Sequence, residues 1–371
     1  MEFSINRDIF LKSLSHAYGI IEKKTTLPIL SNILIEAKDS KIRITATDLD
    51  IIYTEEIPLQ ELKKEGSTTT SASVLYDILR KLKANSKVEL ILQSTNKLKI
   101  ISDNSTFNLL CISSDNFPLL NEETNEKVFE VSSQKLLKLL NKAKISISGD
   151  ETRHYLNGIY LHKTNLENKS FLTGVATDSH RLSSSSLEID PKTDFESIIL
   201  PKKTIFQLIS LLEQNTNIIK ISNNKSKIQF KMDHAILISK VIDGRFPDYS
   251  KVVPKDNDKI LEIKLNEFKD SIERVSTVSS DHKEGLKMNI SKEKLQLLVN
   301  NPNSGEATEN IKAKFNSSDM SISFNSRYLI DIASQIENSS IIISLKDPGS
   351  PVLIKDLSDR KSYHVVMPMK I

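Results

Sequence analysis

Asp178, Ser179 and His180 set an acid, a hydroxyl and an imidazole side by side. These are the groups of an acyl-transfer site, in which a base takes the hydroxyl proton and an acid orients the base. Consecutive side chains rarely converge on one atom, so such triads are assembled from distant parts of a chain. The stretch also lacks the strand–Gly-x-Ser-x-Gly–helix setting that exposes a nucleophile. With 9 glycines in 371 residues, the chain shows no glycine-rich phosphate loop either. Hydrolase chemistry is not expected. Histidines at 16, 154, 162, 180, 234, 282 and 364 form no pair at metal-ligand spacing, so zinc is not expected.

Part of the same stretch occurs twice. Ala176-Thr177-Asp178 repeats Ala46-Thr47-Asp48 at an offset of 130 residues, and the flanking sequence repeats with it. Phe3, Ile5, Phe10 and Leu14 return as Phe129, Val131, Leu136 and Leu140, then as Leu261, Ile263, Phe268 and Ile272. Val74, Ile78 and Leu82 match Thr204, Leu208 and Leu212, then Tyr328, Ile332 and Ile336. Each copy closes on an apolar residue before proline: Phe117-Pro118, Phe246-Pro247 and Met367-Pro368. Three units of ordinary domain size account for the length. They are expected at 1–120, 127–254 and 259–371, with polar linkers at 121–127 and 255–259.

The composition, 38% hydrophobic and 27% charged, is that of a soluble globular chain. No run reaches the roughly 18 apolar residues of a membrane span. Met1-Glu2-Phe3 leads straight into the first repeat, so no signal peptide is expected. One cysteine, Cys111, excludes an intramolecular disulfide framework and fits a reducing compartment, here the cytoplasm. The net charge of +3 says little about partners; its distribution says more.

Each unit reads as two strand–helix–strand–strand–strand halves, an α+β arrangement. In the first, a strand at 3–5 leads to Asn6 as helix N-cap, with Phe10, Leu14, Ala17 and Ile21 at helical spacing. Strands are expected at 29–36, 41–47 and 51–57. A second helix near 71 is followed by strands at 88–93, 98–102 and 107–112. The second unit gives helices at 132–144 and from Pro201, and strands around 158–162 and 171–177. The third gives helices at 264–278 and near 325, and strands at 286–290, 295–300, 352–356 and 364–367. Antiparallel strands with two helices per unit place both helices on one sheet face. The helix at 132–144 carries Lys135, Lys138, Lys142 and Lys144 with no acid. Arg80, Lys81 and Lys83 end the helix near 71, and Lys202 and Lys203 follow Pro201. Such recurrence points to a basic surface for a polyanion, although the third unit mixes Lys264, Lys269 and Arg274 with acids.

At this point the chain resembles a known family, the bacterial sliding clamp or beta subunit of DNA polymerase III, over its whole length. The resemblance rests on Leu27-Pro28-Ile29-Leu30, Thr47-Asp48-Leu49, Tyr155-Leu156-Asn157-Gly158 and Ala176-Thr177-Asp178 with His180-Arg181-Leu182. It rests also on Asp243-Gly244-Arg245-Phe246-Pro247-Asp248-Tyr249 and Val365-Val366-Met367-Pro368-Met369. It implies three tandem DNA-clamp-like domains that form a ring as a head-to-tail dimer, helices inside and sheets outside. It implies no catalysis and no cofactor. Duplex DNA would be read through its phosphates alone. Other implied partners are a second copy, the polymerase III catalytic subunit, an ATP-driven loader, and further polymerases and repair proteins.

The family's DNA-contacting positions match Lys24, Arg153, His154 and Tyr155, to which the basic helices add Arg80, Lys138, Lys142 and Lys202. Tyr155, beside Leu156, has core packing as its alternative role. The family's partner-peptide groove lies between the second and third units. Its positions match Leu156, Thr177, His180, Arg181, Leu182, Pro247 and Val252. They continue with Asn325, Tyr328, Val365, Val366, Met367, Pro368 and Met369. Aliphatic and methionine side chains would bury an apolar anchor, and His180, Arg181, Asn325 and Tyr328 would orient peptide backbone. Val365–Met369 could also serve as a buried last strand. The implied dimer contact joins Phe107, Leu109 and Ile112 to Arg274, Val275 and Val278. The chain departs from the family pattern at Ser179, where glycine is common, at Asn300-Asn301-Pro302, and at Lys283. A scaffold that binds protein but not DNA is the rival reading; salt-sensitive association with DNA separates the two.

Overall fold

The computed structural model describes residues 1–22, 26–119, 127–214, 217–279 and 285–369. The first repeat runs β1 (Glu2–Asn6), α1 (Arg7–Tyr18), β2 (Asn32–Lys38), β3 (Lys41–Thr47), β4 (Ile51–Pro58), β5 (Glu61–Lys64), β6 (Gly66–Ser71), α2 (Ala72–Lys81), β7 (Lys87–Ser94), β8 (Lys97–Ser102) and β9 (Ser105–Ile112). The second runs β10 (Phe129–Ser132), α3 (Ser133–Lys144), β11 (Gly158–Leu166), β12 (Lys169–Thr177), β13 (Arg181–Ile189), β14 (Ile198–Pro201), α4 (Lys202–Leu212), β15 (Ile218–Asn223), β16 (Lys227–Lys231) and β17 (Ala235–Lys240). The third runs β18 (Lys259–Lys264), α5 (Leu265–Val275), β19 (Gly285–Ile290), β20 (Lys294–Asn301), β21 (Gly305–Phe315), β22 (Met320–Asn325), α6 (Ser326–Ala333), β23 (Ser340–Leu345), β24 (Val352–Asp356) and β25 (Asp359–Val366).

The strand–helix–three-strand half thus occurs six times among the described residues, with β5 as the one addition. Helix starts follow their caps. Asn6 accepts from the backbone N–H groups of Asp8 and Ile9, Ser71 from that of Val74, and Asn325 from that of Arg327. Each cap is worth about 1 kcal/mol. α1 stops at Tyr18, short of Ile21, with Gly19 as its C-cap. Pro28 opens a short 3-10 turn, Pro28–Ser31, so β2 begins at Asn32 and not at Ile29. Pro201 ends β14 one residue ahead of α4.

Two compact units are present. Unit one comprises Met1–Gln134, Asp194–Glu196 and Phe206–Val241; unit two comprises Lys135–Thr193, Ser197–Ile205 and Ile242–Ile371. Unit one holds a 13-stranded antiparallel sheet, β10-β15-β16-β17-β4-β3-β2-β6-β9-β8-β7-β1-β5. Unit two holds a 12-stranded one, β14-β11-β12-β13-β25-β24-β23-β18-β21-β20-β19-β22. Each sheet therefore runs through a repeat boundary: β4 pairs with β17 from Ile51↔Ser239 to Glu55↔Ala235, and β13 with β25 from Arg181↔Val366 to Ser184↔Tyr363.

In unit one, α1 lies on β1, β3 and β4 and against α2, burying Phe10, Leu14 and Ala17. In unit two, α5 lies on β18, β20 and β21 and against α6, burying Phe268, Ile272 and Val275. The core of the third repeat gathers these with Met288, Leu297, Phe324 and Ile343. No helix among the described residues is long and apolar enough to cross a membrane.

Candidate functional site

The Ala-Thr-Asp repeat is a hairpin closure, and its two copies share one geometry. Thr177 donates through Oγ1 to the Arg181 carbonyl at 2.8 Å, and Asp178 Oδ1 accepts from the N–H groups of His180 and Arg181 at 2.9 Å each. In the first repeat Thr47 donates to the Ile51 carbonyl at 2.9 Å, and Asp48 Oδ1 accepts from Asp50 and Ile51 at 3.0 and 2.7 Å. The residue between, Ser179 or Leu49, has φ of 77° or 75°. That left-handed conformation is the one glycine favours. In the third repeat the turn differs: Asn301 accepts from the Asn303 N–H, and Gly305 carries the positive φ. No triad is assembled at Ser179, whose hydroxyl accepts from Arg153 Nη1 at 2.6 Å while Asp178 Oδ2 holds Arg181.

The turn opens onto an apolar cluster inside unit two. Leu156, Leu182 and Val365 are buried together with Val175, Ile199, Phe246 and Leu353. Tyr155, Tyr160, Tyr249 and Tyr363 pack around them. These form a floor; of the other groove candidates, Met367 is 41% exposed and Val252 51% exposed, with Pro247 and His180 also exposed. Pro368 and Met369 are half-buried. The backbone fixes this rim: the Met367 N–H donates to the His180 carbonyl at 2.8 Å, and the Met369 N–H to the Ser323 carbonyl at 2.7 Å. Arg181 leaves the end of β13 with Nε on Asp178 at 3.1 Å and Nη1 on Asp331 at 2.7 Å. Its guanidinium carbon lies 4.3 Å from the centre of the Tyr328 ring. Burial, with Asp178 close by, pushes the Tyr328 phenol up and keeps it a neutral donor.

One expectation is corrected here. Val366 is fully buried in the core of the third repeat, because successive strand residues point to opposite faces, so it does not line the groove. Asn325 spends its side-chain oxygen capping α6. The sequence reading missed the aromatic lattice behind the floor. Tyr160 stacks on Phe246 at 5.0 Å, and His162 Nε2 bonds the Tyr249 hydroxyl at 2.9 Å. The alternating Tyr160 and His162 on β11 were its signal. Glycines make room: a Cβ at Gly158 would fall on the Leu200 carbonyl oxygen, and one at Gly244 (φ 151°) would sit 3.2 Å from Tyr155 Cβ.

The DNA candidates divide. His154 and Lys202 are exposed in unit two, and Tyr155 is half-buried with its ring edge to His154. Arg153, in the 3-10 turn Glu151–Leu156, is held by Asp150 at 2.8 Å and by Ser179. Arg80 in unit one is exposed, with Asp77 at 3.3 Å. Lys138 is shared between Glu337 and Asp359. Lys142 is a correction: it is 2% exposed and paired with Asp359 at 2.8 Å and Asp356 at 3.9 Å, so it is no free surface cation. Its position repeats that of His16 and Arg274, 126 residues before and 132 after, and all three meet carboxylates. His16 lies 3.7 Å from Glu55 and Arg274 2.5 Å from Glu309. Lys24 and Lys283 lie outside the described residues.

Of the contact expected between copies, Phe107, Leu109 and Ile112 are half-exposed on β9, beside Leu110 at 82% exposed, which the sequence reading passed over. Val275 is corrected: it is buried in the third-repeat core, where Val278 also packs. Cys111 is buried, and burial pushes its thiol up. Among the described residues no group of three metal-ligating side chains occurs.

Family models describe all three parts of the chain. The N-terminal domain of the DNA polymerase III beta subunit matches residues 1–121, the central domain 130–248 and the C-terminal domain 250–370. The chain is 34% identical over 373 residues to the beta sliding clamp of Caulobacter vibrioides strain NA1000 / CB15N, covering 100% of both. It is similar to the crystal structure of a DnaN sliding clamp from Bartonella birtlesii bound to griselimycin, with TM-score 0.95, 36% identity and 100% of each chain covered. It is also similar to the C. crescentus beta sliding clamp, with TM-score 0.96, 34% identity and 100% and 99% covered. Three domain models in order and full-length relatives above 30% identity lead to one conclusion: the chain belongs to the DNA polymerase III beta subunit family.

Proposed function

We propose that this chain is a DNA sliding clamp, a non-catalytic processivity subunit that encircles duplex DNA as a head-to-tail homodimer and tethers the replicative polymerase. Its three domains are assigned to 1–120, 127–254 and 259–371. The carrying observation is the rule obeyed at both internal boundaries. The last strand of a repeat's first half pairs with the last strand of the next repeat's second half: β4 with β17, and β13 with β25. By the same rule β21 calls for β9, the strand of Phe107, Leu109 and Leu110, in another copy. β6 covers only the end of β9, at Cys111 and Ile112, and β18 covers only the end of β21, from Ala313 to Phe315. Both strands keep edge length for a partner, and pairing would hide edges that otherwise invite aggregation. Two such contacts close three repeats per chain into a ring.

Duplex DNA would meet Arg80, Lys138, Arg153, His154, Tyr155 and Lys202 through phosphates, without base readout. The groove over Leu156, Leu182 and Val365 would take apolar anchors of the polymerase III catalytic subunit, the loader and other polymerases and repair proteins, in the cytoplasm.

Sedimentation or light scattering tests the carrying observation. The wild type is expected at twice the chain mass of 41.9 kDa, and Leu110→Asp at the chain mass. A dimer that survives Leu110→Asp would contradict the β9–β21 contact.

A further inference from the structure

We propose that Asp331, which neither the family positions nor the groove cluster includes, is a positioning residue that sets the Tyr328 wall of the groove by acting through Arg181. The inference rests on the peptide-groove reading above. Tyr328 and Asp331 lie three residues apart on α6, so both side chains project from one face of that helix. Arg181 reaches that face from β13 and is only 10% exposed. Asp178 fixes its Nε, which leaves the plane of the guanidinium free to tilt about that single bond. The second anchor, Nη1 to Asp331 at 2.7 Å, sets the plane. A flat cation then lies 4.3 Å from the ring centre, where the ring's negative face attracts it and resists rotation.

Removing Asp331 leaves Arg181 largely buried with one carboxylate for its five donors. The arginine then turns toward water, and Tyr328 loses the surface that holds its ring upright. The effect on a bound peptide is indirect, which distinguishes Asp331 from the residues of the floor. The 150-residue separation between Asp331 and its arginine hides the link from any local motif.

The test uses the full-length dimer and a fluorescein-labelled octapeptide with two leucines and a C-terminal phenylalanine, read by anisotropy. Asp331→Ala is expected to weaken binding roughly tenfold, the scale of the one partly desolvated cation–π contact that the loss of Asp331 releases. Asp331→Asn, whose amide oxygen still accepts from Nη1, is expected within about threefold of wild type. In a double-mutant cycle, Asp331→Ala on top of Tyr328→Ala should add nothing, because both act on the same wall. Wild-type binding by Asp331→Ala, or penalties that add in full, would overturn the assignment. Should Asp331→Ala fail to fold, Arg181→Lys keeps a cation between the carboxylates but removes the flat face; it is expected to show the same tenfold loss, and wild-type affinity would overturn the assignment equally. Met367→Ala separates the two readings. If it binds as tightly as wild type, the groove reading fails and this assignment with it; if it weakens binding while Asp331→Ala does not, only Asp331 is misassigned.

Discussion

Lys142 and Lys202 look alike in the sequence, a lysine on a helix with basic neighbours, yet one is buried and the other exposed. Lys142 is three residues past the buried Leu139 and next to buried Ala143, so its stem lies on the packed face of α3. Its carboxylates, Asp356 and Asp359, come from the turn between β24 and β25, more than 210 residues on. No local pattern reveals such a partner; His16 and Arg274, at the equivalent positions, also lie beside carboxylates. Truncating one side of a buried ion pair leaves the other charge unpaired. Lys142→Ala is therefore expected to cost about 3–5 kcal/mol in denaturant unfolding. Lys202→Ala should leave stability unchanged and reduce the slope of log affinity for DNA against log salt by about 0.9. The reverse pattern, a stable Lys142→Ala with lost salt dependence, would return Lys142 to the DNA face.

The elements were legible where apolar residues kept period, and hidden where they did not. α1, α2 and α6 begin at their caps, α5 begins one residue after the expected Lys264 without a side-chain cap, and β3 and β24 match the expected spans. β6 escaped because its buried centre is Thr68, Thr69 and Thr70, polar residues of which Thr69 and Thr70 donate through Oγ1 to the Ile112 and Leu110 carbonyls. β5 escaped because it is a charged strand at the end of its sheet. The opening motif was visible as a repeat, but its purpose, two matching hairpin turns, needed the backbone. Two strands also carry a pH dependence. Burial holds His162 on β11 down to about 4 and His364 on β25 down to about 3. Between pH 6.5 and 4 the unfolded chain binds those protons and the folded chain does not, so stability falls as pH drops through that window. Each histidine contributes up to about 1.4 kcal/mol per pH unit. The depressed carboxyls of Asp356 and Asp359, burial notwithstanding, keep their bonds to Glu337, Ser358 and Lys142 and extend the loss below about pH 4. Melting temperatures should fall from pH 6.5 to 4.5, and His364→Gln should flatten the slope. A flat profile in the wild type would contradict the buried neutral histidines.

At the scale of the molecule, the threefold repeat was the most legible feature, because three copies of one core pattern survive even where individual residues diverge. The pairing rule at the boundaries was not legible, since strand partners such as Ile51 and Ser239 are far apart in the chain. That rule turns three repeats into an argument for a closed ring, and a ring makes a specific demand on DNA. The protein, placed on nicked circular DNA by a matching loader with ATP, should remain bound through gel filtration. Cutting the circle once should release it, because a ring slides off a free end without any phosphate contact having changed. Equal retention on the circle and on the cut, linear form would mean that phosphate contacts alone hold the protein, and would contradict the sliding clamp.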